Sequence, residues 1–320
     1  MIETQHAWGL LVAIYLFLGG LSAGAILTSC ILELFAGGRF KTTINIGAWI
    51  GVVALGLGLL SLVAETGQPF RAIVLFNSFV NFSSWMTIGA WLLFFALMVF
   101  GLFAILKTEW LTVRLSNIWK PLKKIAPIAV RILAVIGIPV SLGVAIYTGI
   151  LLGVLEFIPL WNTWLLPLLF TVSAIDTGMA AVAGCAILWD KDSGVTRLRT
   201  VFEAGIVTLV IIEAIVLVVY LWSMLTGTTD MASSAHLLIS GALSIPFWAV
   251  FVSFGLAIPF LLGIIQLSHL IKKDIIALPL IGIVSALIGG FVLRLLIVSA
   301  GMHAESTGFQ SIIDIIGFVS

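Results

Sequence analysis

Long apolar runs alternate with short polar breaks along the whole chain. Because about 20 consecutive apolar residues span the hydrocarbon core of a bilayer, the pattern predicts eight transmembrane helices. Their approximate bounds are residues 7–36, 46–64, 81–106, 131–154, 163–189, 201–226, 243–270 and 275–301. Between them lie GGR, ETGQP, EFIP, WDKDSG, KKD and two longer stretches at 107–131 and 227–242, and a short tail follows at 302–320. We therefore expect an all-α polytopic protein whose residues 1–320 form a single integral membrane domain.

The composition supports this class of protein. Of 320 residues, 62% are hydrophobic and 9% are charged, and the mean hydropathy of +1.27 exceeds what a water-soluble core requires. The short alternating strands of an outer-membrane β-barrel are absent from the sequence. The first apolar run is too long for a cleaved signal peptide and follows no basic segment, so it is expected to remain as the first helix.

Basic residues are concentrated in every second loop. The odd-numbered loops and their flanks hold Arg39, Lys41, Lys107, Arg114, Lys120, Lys123, Lys124, Arg131, Lys191, Arg197, Arg199, Lys272 and Lys273. The even-numbered loops hold only Arg71. Because Lys and Arg are retained on the cytoplasmic side, the odd loops are predicted to be cytoplasmic, and both termini are predicted to be extracytoplasmic.

With this orientation, each polar residue within or beside a span can be assigned a depth in the membrane. The outer half gathers Tyr15, Glu65, Gln68, Arg71, Tyr147, Thr148 and Arg294. Asp176 and Glu213 lie deeper, near the middle of the fifth and sixth spans. Ionisable groups inside a membrane commonly mark proton relays or ligand sites. The arrangement suggests a site for a lipid-soluble molecule that exchanges protons.

The outer residues also have structural interpretations that the sequence leaves open. Glu65 and Arg71 could form an ion pair that caps two helices at the membrane rim. Tyr15 and Tyr147 could be aromatic residues of the interfacial belt.

The deeper acidic residues have similar alternatives. Asp176 or Glu213 could pair with Arg294 only to hold helices together. Glu33 and Glu203, toward the cytoplasmic ends of their spans, are expected to be solvated interfacial groups.

The sequence contains no recognisable site for haem, an iron–sulfur cluster or another metal. Its histidines, His6, His236, His269 and His303, provide no pair at matching depth within the helices. Cys30 and Cys185 are isolated within predicted spans and form no CxxC motif, so they are interpreted as small core residues.

An ordered set of motifs resembles the NrfD/polysulfide reductase membrane-subunit family. The motifs are YLFLGGLSAGA in the first span, ETGQPFR followed by NFSSWMTIGAW, YTGILLG with PLWN after it, LPLLFTVSAIDTG, FWAVFVSFGLAIPFLL and LRLLIVSAG. Each motif alone is weakly specific because it is apolar and rich in glycine, but together they cover nearly the whole chain in order. The first and fifth spans also share a weak sequence similarity, here called the echoing motifs: GGLSAG in the first and SAIDTG in the fifth. The similarity suggests two related four-helix bundles.

The resemblance implies a quinone-reactive subunit of a respiratory oxidoreductase in the prokaryotic cytoplasmic membrane. It implies a quinone, menaquinone or ubiquinone, as the redox molecule, and an extracytoplasmic partner with four iron–sulfur clusters, often accompanied by a molybdopterin subunit. Tyr147 matches a tyrosine that contributes to the quinone pocket in that family, whereas Tyr15 occupies the position of a family histidine.

The expected roles follow from this combined interpretation. Tyr147, Glu65 and Tyr15 are expected to act in catalysis, and Tyr15, Tyr147, Gln68, Arg71 and Thr148 to bind quinone, whereas Asp176, Glu213 and Arg294 are expected to form a proton path. Two rival functions remain at this stage. One is a secondary transporter or proton channel, which midplane acids and glycine-interrupted helices also suit, and the other is a passive membrane anchor for a catalytic complex.

Overall fold

Helices account for the regular structure throughout the described part of the chain. The computed structural model describes residues 10–36, 39–65, 84–155, 158–190, 195–268 and 276–316, with side chains for all of these except 195–196 and 302–316. The α-helices are α1 (Leu10–Phe35), α2 (Lys41–Glu65), α3 (Trp85–Lys107), α4 (Glu109–Ile118), α5 (Leu122–Gly153), α6 (Leu165–Trp189), α7 (Val195–Leu225), α8 (Thr229–Ile239), α9 (Ile258–Leu267) and α10 (Ala277–Ile316). A π-helical segment, Pro246–Ala257, leads directly into α9.

The eight predicted membrane spans are confirmed as helices that are long and apolar enough to cross a bilayer. They correspond to α1, α2, α3, α5, α6, α7, the π-helical segment with α9, and the first part of α10. The protein is therefore a multi-pass integral membrane protein. The outward position of both termini and the grouping into two four-helix bundles remain predictions.

Several boundaries differ from the predicted ones. The predicted loops at 107–131 and 227–242 contain the short helices α4 and α8, α5 begins at Leu122 rather than 131, and α10 continues beyond 301 into the predicted tail. A search for apolar runs misses amphipathic helices such as α4 (EWLTVRLSNI), because their polar residues lower the average hydropathy. In α5 the helix also passes through Pro127 and Pro139 without ending.

The helices α1 and α6 form the centre of the assembly. Two-thirds of the apolar window of each helix is buried, and the two helices pack against each other and against their neighbours. At their contact, a Cβ atom added to Gly24 would lie 2.9 Å from the Cα atom of Gly178 and would overlap the carbonyl of Ala174. The backbones can approach this closely only because both positions lack a side chain. The two glycines are the last residues of the echoing GGLSAG and SAIDTG motifs.

Most buried hydroxyl groups bond within their own helix. Thr28 donates to Gly24 O at 2.8 Å, Ser29 donates to Ala25 O at 2.8 Å, and Thr177 donates to Ser173 O at 2.7 Å. Ser22 instead donates to Gly51 O at 2.6 Å and so joins α1 to α2. Close backbone packing, rather than a dense hydrogen-bond network, therefore holds these central helices together.

One end of the assembly, here named the Glu33 end, is closed by polar contacts between helix termini. Glu33 at the end of α1 pairs with Lys107 at the end of α3, and the carboxylate of Asp190 accepts a 2.7 Å hydrogen bond from the Thr43 hydroxyl at the start of α2. The expectation that Glu33 is solvated was wrong. Its side chain is only 10% exposed, because the ammonium of Lys107 compensates its charge and permits its burial.

The opposite end, here named the Tyr147 end, is closed by the loop before α6. Trp161 in this loop is fully buried, and its indole Nε1 donates to Ile297 O of α10 at 2.8 Å. The carbonyl of Leu160 accepts a 2.6 Å hydrogen bond from the Tyr220 hydroxyl of α7. Two hydrogen bonds to different helices therefore fix this loop over the interior.

Replacing Gly178 by alanine should weaken the central contact, because the added methyl group would meet the backbone of α1 at Gly24 and Ala25. Overpacking of this kind typically costs about 1–3 kcal/mol of folding free energy. The measurement is the unfolding midpoint of the purified protein in detergent.

Gly56→Ala and Gly101→Ala are the matched controls, since an added Cβ atom at either position meets nothing within 4 Å. These changes should leave the midpoint equal or raise it slightly, because alanine favours a helix over glycine by about 1 kcal/mol. Equal losses at all three positions would show that the contact between α1 and α6 has no special importance.

Candidate functional site

A fully buried arginine organises a polar cluster inside the apolar helices. The Nη1 group of Arg294 in α10 donates to Ser173 Oγ of α6 at 2.8 Å and to Gly290 O at 2.6 Å. Its Nη2 group lies 3.4 Å from Phe170 O. A guanidinium in this position is always charged, so the interior must supply compensating groups.

Glycines and aromatic rings form the chamber around this guanidinium. A Cβ atom at Gly20 of α1 would lie 3.0 Å from Nη2, and one at Gly290 would lie 3.3 Å from Nη1. The guanidinium carbon is 5.3 Å from the ring centroid of Phe170 and 5.9 Å from that of Phe17. The small residues provide the space, and the ring faces contribute favourable cation–π contacts.

Two buried carboxyl groups complete this cluster. The hydroxyl of Ser173 accepts from Arg294 and lies beside Glu213 of α7, which also interacts electrostatically with the arginine. Asp176, one turn further along α6, interacts electrostatically with both Glu213 and Arg294, and its Oδ1 atom makes no hydrogen bond within the described structure. The structure thus brings together the three residues that the sequence assigned to a proton path, with Ser173 beside Arg294 and Glu213.

Two phenol side chains form a second cluster, toward the Tyr147 end. Tyr15 of α1 is completely buried, and its hydroxyl has no hydrogen-bond partner within the described structure. Tyr147 of α5 is 6% exposed and lies within electrostatic range of Tyr15. An unpaired buried hydroxyl costs free energy, which makes the Tyr15 hydroxyl a candidate group for binding a ligand. Burial also excludes the alternative that these two tyrosines belong to an interfacial belt.

Glycines also shape the surroundings of both phenols. A Cβ atom at Gly89 of α3 would overlap the ring and hydroxyl of Tyr147, and one at Gly58 of α2 would lie 3.6 Å from Cδ2 of Tyr15. Neither glycine was singled out by its sequence, because a glycine in an apolar helix gives no indication of what it faces. The four helices α1, α2, α3 and α5 therefore meet around the phenols.

The remaining predicted ligands lie nearby or outside the described residues. Thr148 is buried beside Gly19, and its hydroxyl donates to Ala145 O at 2.7 Å. Glu65 is half-buried at the last residue of α2, about 10 Å along that helix from Gly58 at 1.5 Å per residue. Gln68 and Arg71 lie outside the described residues, as does any ion pair between Arg71 and Glu65.

The two clusters are adjacent along α1. Tyr15 faces the phenol cluster, and Gly20 faces Arg294 five residues later, a distance of about 7.5 Å along a helix axis. The sequence did not predict that Ser173 and Gly20 would contact Arg294, although both lie in the echoing motifs.

A separate cleft opens toward the Glu33 end, between α6, α7, α9 and α10. Apolar side chains, including Ile187, Phe202 and Leu262, form most of its wall, and Arg199, Glu203 and Gln266 contribute its polar groups. Glu203 is half-buried and has a polar or electrostatic partner. The cleft is remote from the phenols. It lies toward the Glu33 end, whereas Tyr147 lies at the opposite end of the assembly.

Among the described residues, no group of three or more His, Cys, Asp and Glu side chains is arranged to hold a metal ion. Cys30 and Cys185 are both buried free thiols. Of the four histidines, His236 lies in α8, whereas the side chains of His6, His269 and His303 lie outside the described set.

Eight membrane-spanning helices that enclose phenols, carboxyl groups and an arginine define a polytopic membrane protein with two buried polar clusters. The family model described as "Polysulphide reductase, NrfD" matches residues 2–304, and the chain belongs to this family.

Relatives with similar sequences include named components of reductases. The chain is 32% identical to the C component of polysulfide reductase from Wolinella succinogenes, over 93% of this chain and 91% of the relative. It is 29% identical to the protein NrfD of Escherichia coli, over 92% and 94% of the two proteins. It is also similar to the C component of selenate reductase from Mesobacillus selenatarsenatis, with 24% identity over 56% of this chain and 47% of that one.

The Arg294→Met variant should be strongly destabilised, because it removes the positive charge that compensates Asp176 and Glu213. Loss of one partner from a buried charge cluster typically costs about 3–5 kcal/mol. Adding Glu213→Gln to Arg294→Met should recover part of this loss. The unfolding midpoints of the wild type, the two single variants and the double variant form the required double-mutant cycle.

Strictly additive losses in that cycle would show that Arg294 and Glu213 are not energetically coupled. The cycle should be measured at neutral pH and repeated after replacing Ser173 by alanine, because Ser173 is the residue that joins the two groups.

Proposed function

We propose that this chain is the quinone-reactive membrane subunit of a respiratory reductase complex. The observation that carries the proposal is the pair of buried phenols, Tyr15 and Tyr147, one of which has a hydroxyl without a partner within the described part of a membrane protein. A quinone ring has two oxygens that accept hydrogen bonds, and its apolar body reaches such a place from the lipid. Membership in the NrfD family and the reductase names of the relatives support this proposal.

The phenols provide donors for the ring oxygens of the quinone. Oxidation of a quinol releases two electrons and two protons, and each hydroxyl proton requires an acceptor near the ring. Glu65 is suitably half-buried at the end of α2 for this exchange, with Gln68 and Arg71 orienting the ring or the carboxylate and Thr148 completing the pocket wall. Gly89 positions Tyr147, since no larger residue at 89 leaves room for its ring.

Electrons leave or enter through a partner subunit, because the motifs of this chain provide no redox metal of their own. The expected partner carries four iron–sulfur clusters and docks at the Tyr147 end, which the positive-inside rule assigns to the extracytoplasmic side. A molybdopterin subunit is expected beyond it. Two of the relatives are named as components of polysulfide and selenate reductases, and menaquinone is our first candidate for the quinone.

The arginine cluster supplies a proton route below the phenols. Asp176 and Glu213 interact directly and can share a proton, and Arg294 compensates the negative charge of a deprotonated carboxyl in the apolar interior. The route would lead toward the Glu33 end, the predicted cytoplasmic side of a prokaryotic inner membrane. Protons taken up there would couple quinone chemistry to a transmembrane charge movement.

The same cluster favours a second candidate, a proton channel or secondary transporter. Buried carboxyl groups near the midplane are common to both functions. The two functions predict different purified complexes. A quinone-reactive subunit should co-purify with a protein that has iron–sulfur absorbance, whereas a transporter needs no such partner. A passive anchor is disfavoured by the fully buried Arg294, which anchoring does not require.

Tyr147→Phe and Glu65→Gln should both weaken binding of a fluorescent quinol analogue to the purified complex. Loss of a hydrogen bond from the phenol should lower affinity by about five- to ten-fold, corresponding to roughly 1 kcal/mol or slightly more. Titration of fluorescence against analogue concentration measures the effect.

Tyr220→Phe is the matched control, because Tyr220 is the third tyrosine of the chain and its hydroxyl is already bonded to Leu160 O. Its affinity for the analogue should equal that of the wild type. If an intact wild-type complex binds no analogue, the quinone assignment is wrong; equal binding by all variants would remove these residues from the pocket.

Glu213→Gln and Asp176→Asn should separate binding from proton transfer. Both variants should bind the quinol analogue normally, since the phenols lie more than one turn away, while turnover with its associated proton uptake should fall by about 100-fold, as is typical for loss of a proton-transferring group. Pre-steady-state pH-indicator measurements in reconstituted vesicles report the uptake. Full activity in both variants would show that the cluster has only a structural role. The control is Glu109→Gln, which changes an exposed carboxylate far from the cluster.

A further inference from the structure

The short helix α4 exposes four of its five apolar residues, and only Leu111 is half-buried. Trp110 is 61% exposed and Ile118 is 85% exposed, and Trp119, which ends the helix, is 55% exposed. In a water-soluble helix such residues would face the protein. None of the ten residues of α4 is buried.

Glu109, Thr112 and Ser116 lie on the side of α4 that faces the rest of the protein, whereas Arg114 and Asn117 are exposed. Glu109 accepts a 2.8 Å hydrogen bond from Lys41 at the start of α2, and the hydroxyl of Thr112 donates to Leu106 O at 2.9 Å. Ser116 follows on the same helical face and is half-buried. These contacts fix which side of the helix points away from the protein.

A defined elbow sets the position of α4 relative to the membrane spans. Thr108 between α3 and α4 has an extended backbone, and its hydroxyl accepts a hydrogen bond from Trp49 Nε1 at 2.9 Å and lies 2.8 Å from Asn45 Oδ1. Because α3 ends at Lys107 and α5 begins at Leu122, α4 lies where the chain leaves the bilayer and returns to it.

Basic residues surround the exposed apolar side. Residues 109–131 contain five basic residues and one acidic residue, Glu109, which is already paired with Lys41. Lys120, Lys123 and Lys124 are exposed, and the guanidinium of Arg114 lies 4.6 Å from the ring centroid of Trp110. The paired aromatic and cationic groups suit the boundary between acyl chains and negatively charged headgroups.

We propose that α4 and the first turn of α5 form a binding surface for anionic phospholipids of the adjacent leaflet. Trp110, Ile118 and Trp119 enter the acyl-chain boundary, and Arg114, Lys120, Lys123 and Lys124 bind the phosphates. The surface is independent of the quinone proposal, because it lies at the Glu33 end and shares no residue with the phenol cluster. A loss of lipid selectivity would therefore not contradict the quinone proposal. A failure of quinol binding would likewise not contradict the lipid proposal.

Spin labels on the full-length protein test the position of α4. Ile118→Cys places a label on the apolar side, and Glu109→Cys places one at an exposed position on the opposite side, about 180° around the helix; Cys30 and Cys185 are buried and should react poorly. In vesicles of phosphatidylcholine and phosphatidylglycerol, the label at 118 should be relaxed by oxygen and shielded from a water-soluble nickel chelate. The label at 109 should be accessible to the chelate.

Two outcomes of that experiment would overturn the proposal. Equal access of the chelate to both labels would place α4 in water. Shielding of residue 118 from both oxygen and the chelate would show that a protein covers the surface, either a separate subunit or a second copy of this chain.

Lipid selectivity tests the role of the charges. The protein is purified from the mixed vesicles, and retained phosphatidylglycerol and phosphatidylcholine are quantified by mass spectrometry. Replacing Lys120, Lys123 and Lys124 together by glutamine should lower the ratio of the anionic to the zwitterionic lipid by about ten-fold or more. The triple replacement by arginine keeps the charge and should retain the wild-type ratio, whereas an unchanged ratio in the glutamine variant would refute charge-based binding.

Discussion

The close approach of α1 and α6 at Gly24 and Gly178 is the constraint on which the interior depends. It brings Gly20 of α1 next to Ala174 of α6, and this proximity creates the chamber that Arg294 enters from α10. The same helix α1 carries Tyr15 toward Tyr147. If the two backbones were separated by an ordinary side chain, the guanidinium would lose contacts on at least one side and could not remain buried at an acceptable free-energy cost.

Packing and polarity are divided between different residues in this fold. Glycines establish the helix contacts, and most buried hydroxyls bond to carbonyls of their own helix, as Thr28 and Thr177 do. Hydrogen bonds between helices are therefore concentrated at a few positions, notably Ser22, Ser173 and Trp161. This concentration leaves the interior apolar except where the two clusters lie, so a proton or a polar ring has few alternative places to bind.

The sequence was informative where a single physical rule dominated. Hydropathy predicted the eight spans because lipid requires continuous apolar helices, and the rarity of charges made Asp176, Glu213 and Arg294 visible before their contacts were known. The short helix α4 was missed because its residues are of mixed polarity, and the linking role of Ser173 was missed because a serine in a membrane helix is common. Which residue each glycine faces depends on helix rotation, and apolar periodicity in a fully apolar helix does not specify that rotation.

The seventh span, which begins with the π-helical segment, contacts two different neighbours along its length. Gly255 within the segment packs against Gly289 of α10, whereas Gly263, two turns later in α9, packs against Val207 of α7. A π-helix turns less per residue than an α-helix, since its hydrogen bonds join residues i and i+5. The angle between the two contacts therefore depends both on the number of residues in Pro246–Ala257 and on their smaller rotation per residue. The span therefore carries a length requirement that is set by angular registration between neighbours rather than by membrane thickness.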